Sequence, residues 1–193
     1  MGIKDYFEKL KQGLDAINES ELEKVADVLF ETWKRGKQVF IFGNGGSATT
    51  ALHFSCDLGK NTVKDPNSDE KRFRIIPLVD NIATLTALAN DSGYENIFSE
   101  QLKNLVMEND VVIVISGSGK SPNVLKAVEV AKNAKAIIVS FTGFDGGKLK
   151  SISDYNINFN ENHYGRIEDA HLILEHLITE ILKERISDSK GEN

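Results

Sequence analysis

This chain of 193 residues has one cysteine and no apolar run of membrane length, and its basic residues, 23, are outnumbered by 29 acidic ones. The single cysteine, Cys56, excludes an internal disulfide framework and indicates a reducing compartment. The N-terminal segment has no apolar core of the signal-peptide type, and no apolar run approaches membrane-spanning length. The formal net charge of −6 disfavours a general binder of nucleic acid or of anionic membranes. We therefore expect a cytoplasmic protein whose partner is neither a nucleic acid nor a membrane.

Apolar runs and helical patterns alternate along the chain. Strands are expected at residues 39–42, 73–79, 111–115, 136–141 and 155–159, and helices at 3–17, 20–36, 81–90, 94–106, 123–133 and 167–185. The alternation predicts an α/β fold in which helices cover both faces of a central parallel sheet. The length favours one domain, with an N-terminal helical hairpin over 1–36, a core over 37–186 and a charged tail over 187–193.

A glycine-rich loop follows the first expected strand. The apolar run 39–42 is typical of a buried parallel strand, and Gly43-Asn44-Gly45-Gly46-Ser47 comes next, before a helical segment. A strand, a glycine turn and a helix together aim free backbone N–H groups and the helix N-terminus at an anion. The alternative is an ordinary strand–helix turn with Ser47 as the cap and no ligand. This loop alone leaves both interpretations open.

A second loop of the same kind, SGSGKSP over residues 116–122, follows the strongest strand signal in the chain. It offers the hydroxyl groups of Ser116, Ser118 and Ser121 together with two glycines. Neither loop has the spacing of a Walker A motif or of a dinucleotide fingerprint. Both loops are expected at the carboxyl edge of the sheet, where open α/β folds bind ligands. Two such loops favour binding of a phosphate monoester.

Acidic residues and histidines recur on two of the expected helices. His53 and Asp57 are four residues apart, so they lie on one helix face and can share a metal ion or a substrate. The last helix carries a larger set: Glu168, Asp169, His171, Glu175 and His176. Positions 168 and 176 are separated by about 12 Å of helix rise, so their spacing alone is a weak signal for a shared ion.

Four segments resemble the sugar isomerase (SIS) domain family: FGNGGSATTALHFSCDL, VVIVISGSGKSPNVLKA, SFTGFDGGKL and RIEDAHLILEHLI. More narrowly they resemble its phosphoheptose isomerase branch, which interconverts sedoheptulose 7-phosphate and glycero-manno-heptose 7-phosphate. The resemblance extends over nearly the whole chain, including the N-terminal helical pair. It implies a three-layer α-β-α SIS fold, isomerisation through an enediol, zinc as a cofactor, and a homotetramer with sites between subunits.

The resemblance also implies roles for particular residues. The expected substrate-binding residues are Asn44, Gly45, Gly46, Ser47, Asp91, Ser116, Ser118, Ser121 and Glu168. Among them, Ser116, Ser118 and Ser121 match the family's phosphate loop. The implied acid–base pair is Asp57 and His176. The implied zinc ligands are His53, Asp57, Glu168 and His176.

Several residues depart from the family pattern. Asp57 stands where the family has glutamate, which withdraws the carboxylate by about 1.5 Å, and a misplacement on that scale can lower a rate about 100-fold. Glu168 stands where the family has glutamine and adds a negative charge, which favours a divalent cation. The smaller departures are Asn61, Gly117, Lys120 and Gly165. These changes leave two alternatives open: isomerisation of another sugar phosphate, and a non-catalytic adaptor that binds the replication initiator protein.

Overall fold

The computed structural model describes residues 2–65 and 67–191. Its centre is a sheet of five strands, all parallel, in the order β2-β1-β3-β4-β5. The strands are β1 (Gln38–Gly43), β2 (Arg74–Pro77), β3 (Val111–Ser116), β4 (Ile137–Gly143) and β5 (Tyr155–Phe159). The predicted parallel sheet is therefore confirmed, and Pro77 ends an edge strand, where a missing N–H is tolerated.

Eight α-helices surround the sheet within the described residues. They are α1 (Ile3–Asp15), α2 (Glu19–Arg35), α3 (Gly46–Lys60), α4 (Ile82–Ser92), α5 (Ser99–Leu105), α6 (Pro122–Asn133), α7 (Gly147–Ile152) and α8 (Tyr164–Gly191). None of these helices combines the length and the apolar character that crossing a bilayer requires.

The two faces of the sheet carry separate hydrophobic cores. In β1, Val39 and Ile41 face the core that α2, α3 and α8 complete, whereas Phe40 and Phe42 face the core of α5, α6 and α7. Because side chains alternate across a strand, a strand covered on both faces must be apolar at every position. The continuous apolar run in the sequence is the direct consequence.

Among the boundaries that differ from the expected ones, three concern α2, the segment 94–106 and α8. The cap of α2 is Asn18, whose side chain accepts hydrogen bonds from the N–H groups of Ser20 and Glu21. The segment 94–106 is split into a short 3₁₀ turn and α5, which lets the consecutive residues Ile97 and Phe98 both enter the core. The last helix continues to Gly191, beyond the predicted end at 185 and through most of the expected tail.

The extension of α8 has a packing reason. Ile186 is buried in the core shared with α2, and Arg185 pairs with Glu23 and Asp27 of α2. These contacts hold the helix past the point where the apolar pattern of the sequence weakens. Residues 192 and 193 of the expected tail lie outside the described residues.

The strand order places a topological switch between β1 and β3. The chain leaves β1 through α3 toward β2 on one side, and it leaves β3 through α6 toward β4 on the other side. Gly43 at the end of β1 pairs in register with Ile115 near the end of β3. The glycine loop and the serine loop therefore open from neighbouring strands at the crevice where such sheets bind ligands.

Candidate functional site

The glycine loop brings backbone close to backbone where β1 turns into α3. A Cβ at Gly43 would lie 2.6 Å from the carbonyl oxygen of Ile115, so only glycine fits. Gly45, the cap residue of α3, has a φ of 55°, which also favours glycine. No side chain caps this end of α3, and its first N–H groups have no partner within the helix. The loop thus presents a helix N-terminus suited to an anion.

Asn44 ties the glycine loop to the start of α6. Its amide nitrogen donates to Oδ1 of Asn123 at 2.9 Å, and the amide nitrogen of Asn123 donates to Oδ1 of Asn44 at 2.8 Å. The hydroxyl of Tyr94 also donates to Oδ1 of Asn44, at 3.1 Å. No pattern in the sequence singles out Asn123 or Tyr94, because their partner lies far away in the chain.

Contacts with β4, with the β4–α7 loop and with α7 fix the backbone of the serine loop. Gly119 has a φ of 60°, and a Cβ there would collide with the carbonyl group of Gly146 in the β4–α7 loop. The N–H of Leu149 donates to the oxygen of Gly119 at 3.0 Å, and the N–H of Gly143 donates to the oxygen of Gly117 at 2.8 Å. The segment SFTGFDGGKL, residues 140–149, therefore supports the backbone of the serine loop.

The hydroxyl groups of the serine loop can donate outward. Oγ of Ser116 accepts from the N–H of Gly119 at 3.2 Å, and Oγ of Ser118 accepts from the N–H of Lys120 at 3.3 Å. Each of these hydroxyls keeps its own O–H as a donor. Ser121 occupies the cap position of α6 without making a side-chain cap bond. Three hydroxyls and a helix N-terminus form a set of donors that suits a phosphate group.

A cluster of histidines and carboxylates forms where α3 packs beside α8. The Nε2 atoms of His53 and His176 lie 3.1 Å apart, although 123 residues separate them in the chain. Oδ2 of Asp57 lies 3.6 Å from Nε2 of His53 and 3.8 Å from Nε2 of His176. The amide of Asn61 donates to the other oxygen, Oδ1, at 2.8 Å and so fixes the orientation of the Asp57 carboxylate.

Glu175 of α8 is the fourth residue of this cluster. Its side chain is only 1% exposed, and its Oε1 lies 3.4 Å from Nε2 of His176 and 3.7 Å from Nε2 of His53. Neither carboxylate oxygen has a hydrogen-bond partner. Burial, with a smaller contribution from the charge of Asp57, raises the pKa of Glu175 to about 8.

Of the three acidic residues predicted for the site, Glu168 and Asp91 lie away from the cluster. Glu168 projects from the start of α8 onto Gly46, where a Cβ would collide with its carboxylate. Asp91 is exposed in the last turn of α4, and its Oδ1 accepts from the side-chain amide of Asn90 at 2.8 Å. The structure thus brings His53, Asp57 and His176 together, and it places Glu168 at the glycine loop.

The pattern of α8 contained a signal for Glu175. The buried residues of this helix recur at helical spacing: Arg166, Ile167, Ala170, His171, Leu174, Glu175, Ile178, Thr179, Leu182 and Ile186. An acidic residue within such a stripe is unusual, because ionisable groups are almost never fully buried without a partner. Its place within the buried stripe is the sequence signal that distinguishes position 175 from the exposed acidic residues of α8.

The chain also matches known proteins over most of its length. The family model described as SIS domain matches residues 5–143. The chain belongs to the SIS domain family. The predicted family is therefore confirmed.

Relatives of this SIS domain protein carry a common name. This chain is 37% identical over 177 residues to the phosphoheptose isomerase of Helicobacter pylori, and the alignment covers 91% of this chain and 89% of the relative. It is 36% identical over 168 residues to the phosphoheptose isomerase of Campylobacter jejuni, covering 87% and 88% of the two chains. The solved phosphoheptose isomerase of Francisella tularensis superposes with a TM-score of 0.84 at 26% identity, with 94% of each chain covered.

The donor set of the cluster suits a metal ion. One ligand atom from each of His53, Asp57, Glu175 and His176 can be chosen so that all four lie within 4.8 Å of one another. Imidazole and carboxylate are ligands that zinc and related divalent metals accept. The unpartnered carboxylate of Glu175 is the observation that fits a cation best, since no hydrogen-bond donor of the protein satisfies it. The SIS domain of this chain can therefore hold a metal ion.

Proposed function

We propose that this SIS domain protein is a phosphoheptose isomerase, which interconverts D-sedoheptulose 7-phosphate and D-glycero-D-manno-heptose 7-phosphate. The observation that carries the proposal is the alignment with phosphoheptose isomerases over nearly nine-tenths of both chains. The two anion-binding loops and the histidine–carboxylate cluster are consistent with it, because a phosphosugar needs one group to hold its phosphate and another to move its protons.

The phosphate of the substrate binds the serine loop in this proposal. Ser116, Ser118 and Ser121 donate hydrogen bonds to it, and the N-terminus of α6 adds a favourable dipole. The glycine loop, with Asn44 and Ser47, faces the sugar chain, and Glu168 lies at the same loop through its contact with Gly46. Neutral donors suit a phosphate that must be released after each turnover. Asp91 remains a predicted substrate-binding residue.

Proton transfer between C1 and C2 is assigned to Asp57 and His176. One acts as the base that removes the carbon-bound proton, and the other acts as the acid that protonates the sugar oxygen, so that a cis-enediol forms and then collapses to the isomer. Asn61 supports Asp57 in this role, because its hydrogen bond at 2.8 Å leaves Oδ2 directed at the two histidines. A zinc ion on His53, Asp57 and His176 would polarise the sugar oxygens. The roles of ligand and free base compete at Asp57.

A homotetramer with sites between subunits is part of the proposal. Leu52, Ile173 and Leu177 are 38%, 41% and 44% exposed, and they flank His53 and His176, which are themselves about half exposed. Apolar side chains around an open polar cluster favour coverage by another subunit. We expect Leu177→Asp to produce a smaller particle in light scattering after gel filtration. Ile82→Asp, an exposed apolar position on the other side of the sheet, serves as the matched control.

The deciding experiment is turnover of sedoheptulose 7-phosphate by the purified protein, before and after removal of metal. We expect turnover that a chelator abolishes and zinc restores. Asp57→Asn and His176→Gln should each lower kcat by at least about 100-fold, the ordinary contribution of an acid or base. Glu180→Gln, an exposed change one turn beyond His176, should leave kcat unchanged. Near-normal turnover in both site variants would refute the assignment, and binding without turnover would favour another sugar phosphate.

A further inference from the structure

We propose that Glu175, rather than Glu168, is the fourth ligand of the metal ion, so that two imidazoles and two carboxylates hold it. The inference rests on the metal site of the function proposed above. It adds a residue that neither the motif spacing nor the family pattern assigned, and it removes Glu168 from the ligand set.

The distances within the cluster carry the first step. Zinc bonds of about 2.0–2.1 Å in a tetrahedral arrangement separate neighbouring ligand atoms by about 3.3–3.4 Å. The two histidine nitrogens lie 3.1 Å apart, and Oε1 of Glu175 lies 3.4 Å and 3.7 Å from them. Oδ2 of Asp57 lies 3.6 Å and 3.8 Å from the same two nitrogens. The four side chains are therefore arranged around one common point at close to ligand spacing.

The surroundings of Glu175 carry the second step. Its carboxylate is buried, and neither oxygen accepts a hydrogen bond. The polar groups that face it are the rings of His53 and His176 and the carboxylate of Asp57, and a second carboxylate repels it. A cation among these four groups satisfies all of them at once, because metal-bound imidazoles are neutral and two carboxylates balance a divalent charge.

The position of Glu168 carries the third step. Seven residues, or about two helical turns and 10 Å of rise, separate it from Glu175 on α8. Its carboxylate contacts Gly46 at the start of α3, whereas His53 lies two turns farther along that helix. Two helices that pack side by side thus place Glu168 at the glycine loop and Glu175 at the histidines. Glu168 is left free to meet the sugar.

The test is the affinity for zinc, measured on metal-stripped protein by competition with a chromophoric chelator. We expect Glu175→Leu to raise the Kd for zinc by at least about 10-fold, the least that perturbing a metal site usually costs. Glu168→Leu is the matched control on the same helix and should keep the Kd within about 3-fold of the original value. Leucine leaves no ligand atom at position 168, whereas glutamine would keep an amide oxygen there. The inference is overturned if Glu175→Leu binds zinc as tightly as the unchanged protein, or if Glu168→Leu is the variant that loses zinc.

A second measurement guards against misfolding and separates this inference from the proposed function. The zinc-induced rise in Tm should persist in Glu168→Leu and shrink in both Glu175→Gln and Glu175→Leu, with all three variants cooperatively folded without metal. A protein that binds zinc through Glu175 yet does not turn over sedoheptulose 7-phosphate would support this inference while refuting the proposed substrate. A protein that binds no zinc would overturn the inference whatever its activity.

Discussion

His171 makes the stability of this protein depend on pH in a way that one substitution removes. The ring is fully buried beneath Phe141, its Nε2 lies 3.2 Å from the carbonyl oxygen of Thr142, and its Nδ1 has no partner. Burial lowers the pKa of His171 to about 4, because the charged ring loses its hydration and gains a single acceptor. The native ring is therefore neutral at pH values where the unfolded ring is protonated.

The sign and size of this pH effect follow from the difference between the numbers of protons that the unfolded and native chains bind. Between the unfolded pKa of about 6.5 and the native value, the unfolded chain binds the extra proton, so stability falls as the pH falls. With a native pKa of about 4, the loss is about 1.4 kcal/mol at pH 5.5 and about 2.6 kcal/mol at pH 4.5. Above pH 7.5 the loss is close to zero.

The assay compares the unchanged protein with His171→Gln, whose amide can still donate to Thr142 but does not titrate. Free energies of unfolding are measured in urea at pH 7.5, 6.5, 5.5 and 4.5, with chelator present and at one protein concentration, since ligands and assembly shift apparent stability. Relative to His171→Gln, the unchanged protein should lose about 1.4 kcal/mol of unfolding free energy between pH 7.5 and pH 5.5, and about 2.6 kcal/mol between pH 7.5 and pH 4.5. Other titrating groups, including Glu175, are common to both proteins and cancel to first order. A difference that stays constant over this range would refute the reasoning.

Three further outcomes test how the loops are built and whether a metal stabilises the fold. Gly119→Ala should lower the free energy of unfolding by at least about 2 kcal/mol, because Gly119 has a left-handed φ and its new Cβ would collide with Gly146. The control Gly59→Ala should be neutral or stabilising, because its Cβ makes only an ordinary contact at 3.8 Å. Equal melting curves for the two variants would contradict this. Asn123→Ala should raise KM for the sugar phosphate more than it lowers kcat, because Asn44 loses its reciprocal amide bonds, and an unchanged KM would count against a positioning role. A chelator should lower the Tm of the zinc-loaded protein, and an identical Tm with and without chelator would exclude a metal that stabilises the fold.

The residue pattern by itself determined the architecture and the two loops. The apolar run from Val39 to Phe42 has to lie between two helical layers, since an apolar residue at every position suits only a strand covered on both faces. Glycines and serines directly after two such strands likewise fix the crevice at the carboxyl edge, because parallel strands end on the same side. These properties are local, so they could be predicted from the chain alone.

Only the tertiary structure decided which distant side chains meet. His53 and His176 converge because α3 packs beside α8, and Asn44 finds Asn123 because β1 and β3 are neighbours in the sheet. The same packing turned Glu175 toward the histidines and Glu168 toward Gly46, a choice that spacing along one helix leaves open. Periodicity fixes which face of a helix is buried, but the rotation and height at which two helices meet depend on the whole core between them.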